Sequence, residues 1–229
     1  MPRATSHQEI EIKLRVRNLD SLRATLKRLR AREITPRLHE SDTLFDSPGH
    51  DLRRRGRLIR IRTERAAPPP GQPRGTRGAT GSSAAILTYK GPSLPSNKRE
   101  TPTGLRGRYK IKEEAEVRIT NADEMAAILG ALGLRPAFRY EKYRTTYALP
   151  GVRALKMELD ETPVGIFLEL EGSPAAIDRT AHLLGYAYKD YLTDSYGALY
   201  LAACRRSGHK PGDMLFPATK KLRNRAVFP

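Results

Sequence analysis

The chain has 229 residues, and its 42 Lys and Arg against 25 Asp and Glu give a formal net charge of +17. The length fits one domain with appendages, and the charge points to an anionic partner. A single cysteine, Cys204, excludes an intramolecular disulfide and multi-cysteine zinc sites and suggests a reducing compartment. The sequence shows no signal-peptide core and no apolar run of membrane-spanning length, so we expect a cytoplasmic protein with no membrane partner.

Two segments of biased composition carry about half of the charge excess. Residues 65–84 hold three Arg and no acid, and residues 205–229 hold seven Lys or Arg and one Asp, which together account for +9 of the +17. The first segment is rich in Pro, Gly and Ser and predicts a disordered loop. We therefore predict a single domain over residues 1–204, with 65–84 as a disordered insertion and 205–229 as a basic, loosely held C-terminal tail.

The first predicted strand, residues 7–17, carries charge at alternate positions. Glu9, Glu11 and Lys13 lie on one side of an extended chain, and aliphatic residues occupy the positions between them. An amphipathic helix follows, because leucines recur at helical spacing after the capping candidate Asn18. The chain thus opens with a strand that has one aliphatic face and one face carrying both signs of charge.

The rest of the chain predicts strands in locally connected order with three more helices. Further strands are predicted at residues 40–47, 56–63, 84–91, 108–119, 138–149, 152–161 and 165–172, the first two as a hairpin around a turn-rich, arginine-rich stretch. Helices are predicted at residues 121–134, from Ser173 to about Leu184, and at residues 193–206.

Every strong strand repeats the opening pattern. The charged faces hold Arg60, Arg62, Lys90, Lys110, Lys112, Glu114, Glu116, Lys142, Arg144, Lys156, Glu158, Asp160, Glu169 and Glu171. Helices that cover the aliphatic faces from outside would turn these charged faces toward a shared interior. We therefore predict an α+β fold built on an eight-stranded antiparallel β-barrel, a tunnel with a charged interior covered by a few amphipathic helices.

A charged interior restricts what the barrel can hold. Unpaired buried ions cost several kcal/mol each, so the charges need partners or water. Lys and Arg are natural donors to phosphate oxygens, and carboxylates without Cys or His suit hard cations such as Mg²⁺ or Mn²⁺. The interior therefore predicts a site for a phosphate chain together with a divalent metal.

The motifs resemble those of the CYTH domain family, also called triphosphate tunnel metalloenzymes, which includes class IV adenylyl cyclases and thiamine triphosphatases. The resemblance covers residues 9–200 and begins with "EIEIK", the ExExK motif at the N-terminus of the family's domain. The other matching motifs are, in order, "DTLFD", "RIR", "TYKGP", "KEEAEV", "EKYR", "LDE", "GIFLELEG" and "DSYGALY".

This resemblance implies a role for each charged position. The carboxylates expected to bind metal are Glu9, Glu11, Asp160, Glu169 and Glu171. The side chains expected to bind phosphate are Lys13, Arg60, Arg62, Lys90, Lys110, Lys112, Lys142 and Arg144. The expected catalytic residues are Lys13, Glu114 and Glu116. For each of them a structural salt bridge across the barrel is the alternative interpretation.

Two reactions fit these tunnel residues. If the 3′-hydroxyl of ATP attacks the α-phosphorus, the enzyme is an adenylyl cyclase that releases pyrophosphate; if water attacks the terminal phosphorus, it is a triphosphatase for inorganic or thiamine triphosphate. The combination of motifs looks most like the bacterial cyclase branch, so the resemblance favours class IV adenylyl cyclase. The insertion at 65–84 departs from the compact family pattern.

A nucleic-acid-binding module is the alternative from another class of function. The net charge and the basic runs at 53–57 and 220–225 suggest it, but no nucleic-acid-binding motif accompanies them. The tail is expected to add at most weak, nonspecific polyanion binding. The sequence leaves the oligomeric state open, with a homodimer as one possibility.

Overall fold

The computed structural model describes residues 7–67, 85–93 and 108–217. Residues 68–84 of the predicted disordered loop and residues 218–229 of the predicted tail lie outside the described residues. The first two residues of the predicted loop belong instead to a strand that ends at Ala66.

Eight antiparallel strands close into a barrel, which confirms the predicted fold class. They are β1 (His7–Val16), β2 (Arg32–Asp46), β3 (Leu58–Ala66), β4 (Ala85–Ser93), β5 (Lys110–Ile119), β6 (Arg135–Ala148), β7 (Leu155–Thr162) and β8 (Gly165–Gly172). Around the barrel the order is β1, β5, β4, β3, β2, β6, β7, β8 and back to β1. A two-residue strand, β9 (Tyr191–Leu192), pairs with β1 beyond the end of the β1–β5 ladder.

The helices lie outside or at one end of the barrel. They are α1 (Leu19–Arg28), α2 (Asp51–Arg54), α3 (Ala122–Ala131), α4 (Pro174–Leu183) and α5 (Tyr196–Ser207). The capping prediction for Asn18 is confirmed, since its side chain accepts a hydrogen bond from the Ser21 amide. Asn121 caps α3 in the same way and accepts from the amides of Asp123 and Glu124. No helix in the described ranges has both the length and the apolar character needed to cross a membrane.

The main hydrophobic core lies between the outer face of the barrel and two helices. Ile12, Leu14 and Leu168 on β1 and β8 are fully buried, and Leu22 of α1 and Ile177 of α4 pack in the same cluster. Because side chains alternate along a strand, burying this aliphatic set outside turns the charged set inward. The predicted assignment of faces is confirmed here.

The outer face of β5 is different. Val117 on this strand is 54% exposed, and Leu132 at the end of α3 is 72% exposed. The third core cluster joins Leu129 of α3 to Ile61 of β3 and Phe45 of β2. Helices therefore cover the outer face of β5 only in part: Ile111 and Ile119 pack against two of the core clusters, but Val117 between them stays exposed.

The segment after α5 is packed against the barrel. The Met214 amide donates to the Arg139 carbonyl at 2.9 Å, the Glu141 amide donates to the Met214 carbonyl at 3.0 Å, and Met214 is only 1% exposed. This contact is available because β6 pairs with β7 only from Tyr143 onward, which leaves the edge of its first half open. The prediction of a loosely held tail is therefore wrong for residues 208–217.

Leu168 tests the packing of the outer core. Its side chain is fully buried, so Leu168→Ala should lower the free energy of unfolding by about 2–5 kcal/mol. Leu132→Ala, at a largely exposed leucine, is the matched control and should change it by less than about 0.5 kcal/mol. Urea denaturation followed by circular dichroism measures both, and equal effects would contradict this core.

Candidate active site

The barrel encloses a cavity of about 390 Å³ whose wall is made of charged side chains. Nine of them are basic and nine are acidic. They are Lys13, Arg60, Arg62, Lys90, Lys110, Arg118, Lys142, Arg144, Lys156, Glu9, Glu11, Glu40, Glu64, Glu114, Glu116, Glu158, Glu169 and Glu171. Thirteen of the fifteen predicted site residues line this one cavity, and the two that do not are Lys112 and Asp160.

Lys13 lies between carboxylates of two neighbouring strands. Its Nζ donates to Glu11 Oε1 at 2.9 Å and to Glu169 Oε1 at 3.1 Å, and Lys13 and Glu169 are direct partners in the β1–β8 ladder. Burial opposes the charged form, but the two carboxylates outweigh it and raise the pKa of Lys13. Lys13 is therefore a fixed cation in the wall of the cavity.

Arg144 and Lys142 are held from behind by Asp160. Arg144 Nε and Nη2 donate to the two Asp160 oxygens at 2.7 and 2.6 Å, and Lys142 Nζ donates to Oδ2 at 3.0 Å. Arg144 Nη2 also donates to Glu169 Oε2 at 2.9 Å. Asp160 is fully buried, and its contacts are with cations and a tyrosine. Its position suits orientation of Arg144 and Lys142 better than direct contact with a ligand in the cavity.

Arg62 is held in the same way by Asp42 and Glu40, two carboxylates that were not predicted as site residues. Arg60 lies beside it, with its Nε 3.3 Å from Asp42 Oδ1 and its Nη2 donating to the Thr88 hydroxyl at 3.0 Å. Arg62 Nε donates to Asp42 Oδ1 at 2.9 Å and Arg62 Nη1 lies 3.1 Å from Glu40 Oε2, both on β2. Burial opposes ionisation of Glu40, but Lys142 and Arg62 lower its pKa. The alternation of Glu40 and Asp42 in the hairpin opposite Arg60 and Arg62 was the signal that could have identified them.

The first carboxylates of β1 lie among lysines of β4 and β5. Lys90 Nζ donates to both Glu9 oxygens at 2.7 and 2.6 Å, and Lys110 Nζ donates to Glu11 Oε1. The β1–β5 ladder makes the second contact possible because Glu11 and Lys110 are direct partners in it. The pKa of Glu171 is raised by burial and by its carboxylate neighbours, Glu9 among them, so these acidic groups share one region of the wall.

The acidic set fits a hard divalent cation in its chemistry. Glu9, Glu11, Glu169 and Glu171 offer only oxygen donors, which Mg²⁺ and Mn²⁺ prefer. Among the described residues no three carboxylate, His or Cys side chains converge as they would around a bound ion, and lysines hold the oxygens of Glu9 and Glu11. The residues thus provide donors for a metal, with Lys90, Lys110 and Lys13 as their present counterions.

Glu114 and Glu116 on β5 form an acidic pair with different environments. Burial, helped by Glu9 and Glu116, raises the pKa of Glu114 to about 7 against the pull of Lys90. Burial also disfavours ionisation of Glu116, but the Thr88 hydroxyl, which donates to it at 2.7 Å, and Arg60 lower its pKa. Glu114 can therefore gain or lose a proton near neutral pH while Glu116 stays ionised.

Lys112 is turned away from the cavity. Its Nζ donates to the backbone carbonyls of Gly56 at 2.9 Å and Gly91 at 3.1 Å. The β4–β5 register shifts between Lys90 and Ser93, so Lys112 lies beyond the regular part of the ladder. The alternation of β5 therefore predicted the position of Lys112 wrongly, because it placed this lysine on the inner face of the barrel.

Tyr196 is a wall residue that alternation on strands could not reveal, because it begins α5. Its hydroxyl donates to Asp160 Oδ2 at 2.6 Å. The ring lies below two cations, with Lys13 Nζ at 5.1 Å and Lys142 Nζ at 5.3 Å from its centroid. It also packs against Phe167, whose cluster with Tyr140 and α5 fills one end of the barrel.

The titration of Glu114 tests the electrostatics of the wall. In metal-free protein, carboxyl ¹³C NMR should give a midpoint of about 7 for Glu114. Glu116→Gln removes a neighbouring negative charge and should lower that midpoint, whereas Glu113→Gln, on the exposed outer side of β5, should leave it unchanged. A wild-type midpoint at the ordinary value of a glutamate would contradict this description.

Comparisons with known proteins agree with this geometry. A model of the CYTH domain matches residues 7–187. A Methanocaldococcus jannaschii protein named "putative adenylate cyclase" is 26% identical over 177 residues, which are 77% of this chain and 83% of that protein.

Solved structures show the same fold. A "putative adenylate cyclase" from Vibrio parahaemolyticus has a TM-score of 0.64 and 18% identity, covering 87% of this chain and all of that one. A Pyrococcus horikoshii protein has a TM-score of 0.63 and 22% identity, covering 85% and 98%. A Hippeastrum protein described as a "putative adenylyl cyclase" with "a dominant" triphosphatase activity has a TM-score of 0.53 and 18% identity, covering 89% and 97%. Because the model of the CYTH domain matches residues 7–187, which are most of this chain, the chain belongs to the CYTH domain family.

Proposed function

We propose that this protein is a divalent-metal-dependent enzyme that converts ATP to cyclic AMP and pyrophosphate, as a class IV adenylyl cyclase of the cytoplasm. The observation that carries the proposal is the cavity lined by equal numbers of basic and acidic side chains. The CYTH family acts on triphosphates with the help of divalent metal, and this wall offers groups for both.

Five cations are best placed to hold the phosphate chain. Arg60, Arg62, Lys142 and Arg144 lie in the wall with Lys13, and all five are at least 92% buried. Buried carboxylates fix them before a substrate arrives, so little reorganisation accompanies phosphate binding. A guanidinium group can donate to two phosphate oxygens at once, so Arg60, Arg62 and Arg144 would orient the phosphate chain. The lysines would act as point charges.

The charge balance favours a metal that binds together with the substrate. The nine cations of the wall already face nine carboxylates, and Asp42 and Asp160 lie fully buried behind them. A triphosphate alone would therefore bring an excess of negative charge into a confined space. Mg²⁺ or Mn²⁺ held by Glu9, Glu11, Glu169 and Glu171 would supply the compensating charge.

Glu114 is the proposed proton acceptor. Because its pKa is about 7, it can be ionised when the nucleophile loses its proton. In the cyclase reaction the 3′-oxygen forms a bond to the α-phosphorus, the bond to the bridging oxygen breaks, pyrophosphate leaves and the hydroxyl proton passes to Glu114. Glu116 stays ionised beside it, and Lys13 faces the developing charge.

Triphosphate hydrolysis is the second candidate, and a specific observation favours it. The Hippeastrum protein, whose fold this chain shares, is described with a dominant triphosphatase activity. The same wall could orient water toward the terminal phosphorus. The cyclase takes precedence because the name of the Methanocaldococcus jannaschii relative, at 26% identity, agrees with the motif resemblance. Homodimer formation and weak polyanion binding by the tail stay sequence predictions.

Product identification separates the two reactions. The purified protein is incubated with Mg²⁺ or Mn²⁺ and, separately, with ATP, thiamine triphosphate and inorganic triphosphate. We expect cyclic AMP and pyrophosphate from ATP. ADP with phosphate would replace the cyclase by the triphosphatase, and the absence of any turnover would contradict both.

Glu169→Gln tests the acidic wall. The variant keeps the size of the side chain but removes a charge next to Lys13 and Arg144, so metal affinity and metal-dependent turnover should fall by about a hundredfold. Glu113→Gln, the same change on the exposed outer side of β5, is the control. Calorimetric titration with Mn²⁺ and initial rates measure the two effects, with circular dichroism to verify the fold. Unchanged metal binding in Glu169→Gln would exclude Glu169 as a ligand.

A further inference from the structure

A second cavity of about 390 Å³ lies outside the barrel, between α1 and the segment from Leu184 to Leu192. We call it the α1 cleft. Its positive charge comes from Arg15 on β1, Arg17 just after β1, and Lys189. Its apolar surface comes from Leu22, Leu184 and Leu192. It shares no lining residue with the barrel cavity.

The cations of the α1 cleft lack the counterions that the barrel cations have. Over residues 7–67, 85–93 and 108–217, no carboxylate lies within 4.0 Å of Arg15, Arg17 or Lys189. Among the residues that the structure describes, Arg15 donates only to the Val164 carbonyl, at 3.4 Å, and its guanidinium lies over the Phe167 ring. The acidic residue of the cleft, Asp190, accepts from the Ala187 amide at 2.9 Å.

Like charges accumulate around Arg15. Burial, together with the guanidinium groups of Arg206 and Arg17, lowers the pKa of Arg15. A group of cations that repel one another and have no carboxylate partner attracts an anion from solution. Inside the barrel, by contrast, the carboxylates that hold Lys13 and Arg144 already neutralise them.

The apolar part of the cleft indicates that the anion carries an organic group. Leu22 is buried, and Leu184 and Leu192 are half-buried beside the cations. A cavity of about 390 Å³ has the size of a small-molecule site rather than that of an inorganic ion. Asn18, Ser21 and Thr25 add polar groups along α1, suited to hydroxyl or amide groups of a ligand.

We propose that the α1 cleft binds an organic phosphate of nucleotide size. Its phosphate lies between Arg17 and Lys189, with Arg15 behind them, and its organic part covers the leucines. This site is separate from the barrel cavity and does not rest on the function proposed for that cavity.

AMP, inorganic phosphate and adenosine serve as probes. Each is titrated into metal-free, full-length protein and followed by amide NMR and calorimetry. We expect AMP to shift the amide signals of Arg17, Ser21 and Lys189, and to bind roughly tenfold more tightly than phosphate or adenosine, since only AMP uses both parts of the cleft.

The double variant Arg17→Gln/Lys189→Gln should lose AMP affinity by roughly tenfold or more, because it removes two charges that face the phosphate. Lys27→Gln/Arg28→Gln makes the same change in net charge on the exposed end of α1, outside the cleft, and should bind AMP as the wild type does. Equal melting temperatures of the two variants verify that both are folded.

Several results would overturn the proposal. These are shifts confined to barrel residues such as Lys90, unchanged affinity in the cleft variant, phosphate binding as tight as AMP binding, and the absence of AMP binding. Because these readouts need neither metal nor turnover, they are independent of the outcome for cyclase or triphosphatase activity.

Discussion

The pairing of buried charges is the constraint on which this structure depends. An ion buried without a partner costs several kcal/mol, and eighteen charged side chains line the barrel cavity. Strand register meets the constraint, since Lys13 lies opposite Glu169 in the β1–β8 ladder and Arg144 lies opposite Asp160 in the β6–β7 ladder. Closure of the barrel contributes as well, because Lys110 reaches Glu11 only where β5 pairs with β1. Charge pairing and barrel closure therefore stabilise each other.

The same constraint gives the two kinds of carboxylate different roles. Asp42 and Asp160 are fully buried and hold arginines in place, so their removal would leave those cations unpaired. Glu9 and Glu171 are held by lysines instead: Lys90 Nζ donates to the Glu9 oxygens at 2.7 and 2.6 Å, and Lys156 Nζ lies 3.6 Å from Glu171 Oε2. In the proposed function, a metal ion would replace these lysines with less loss of structure. The wall would then combine a fixed set of cations with carboxylates that exchange their counterions.

The sequence predicted the barrel because alternation depends only on local geometry. Ile12 and Glu11 are neighbours in the chain, and one faces the helices while the other faces the cavity. Features that depend on distant pairing escaped prediction. Lys112 leaves the inner face at a register shift, and Met214 packs where the β6 edge is open.

Glu40 and Tyr196 line the cavity but were not predicted as site residues, and the reasons differ. Glu40 and Asp42 alternate along β2, and this pattern is visible in the sequence. Applying the hairpin register to both strands would have placed these carboxylates opposite the charged face of β3. Tyr196 carries no such signal, because helical periodicity does not indicate which end of a barrel a helix will cover. Only the packing of α5 against Phe167 brings its hydroxyl to Asp160.

Exposure changes steeply along the wall, and this gradient assigns a direction to the site. Side chains near Tyr196 are fixed, with Lys142 2% and Asp160 0% exposed, whereas Glu116 and Lys156 are 45% and 51% exposed. Aromatic side chains and α5 fill the buried end. In the proposed function, a triphosphate would enter past the exposed charges, whose ion pairs are weak and easily rearranged. Its phosphates would then contact the buried cations, which carboxylates already hold in place. The Glu114 side chain, at 17%, is intermediate in exposure between these two groups, and burial raises its pKa to about 7, so this carboxylate can exchange a proton at neutral pH.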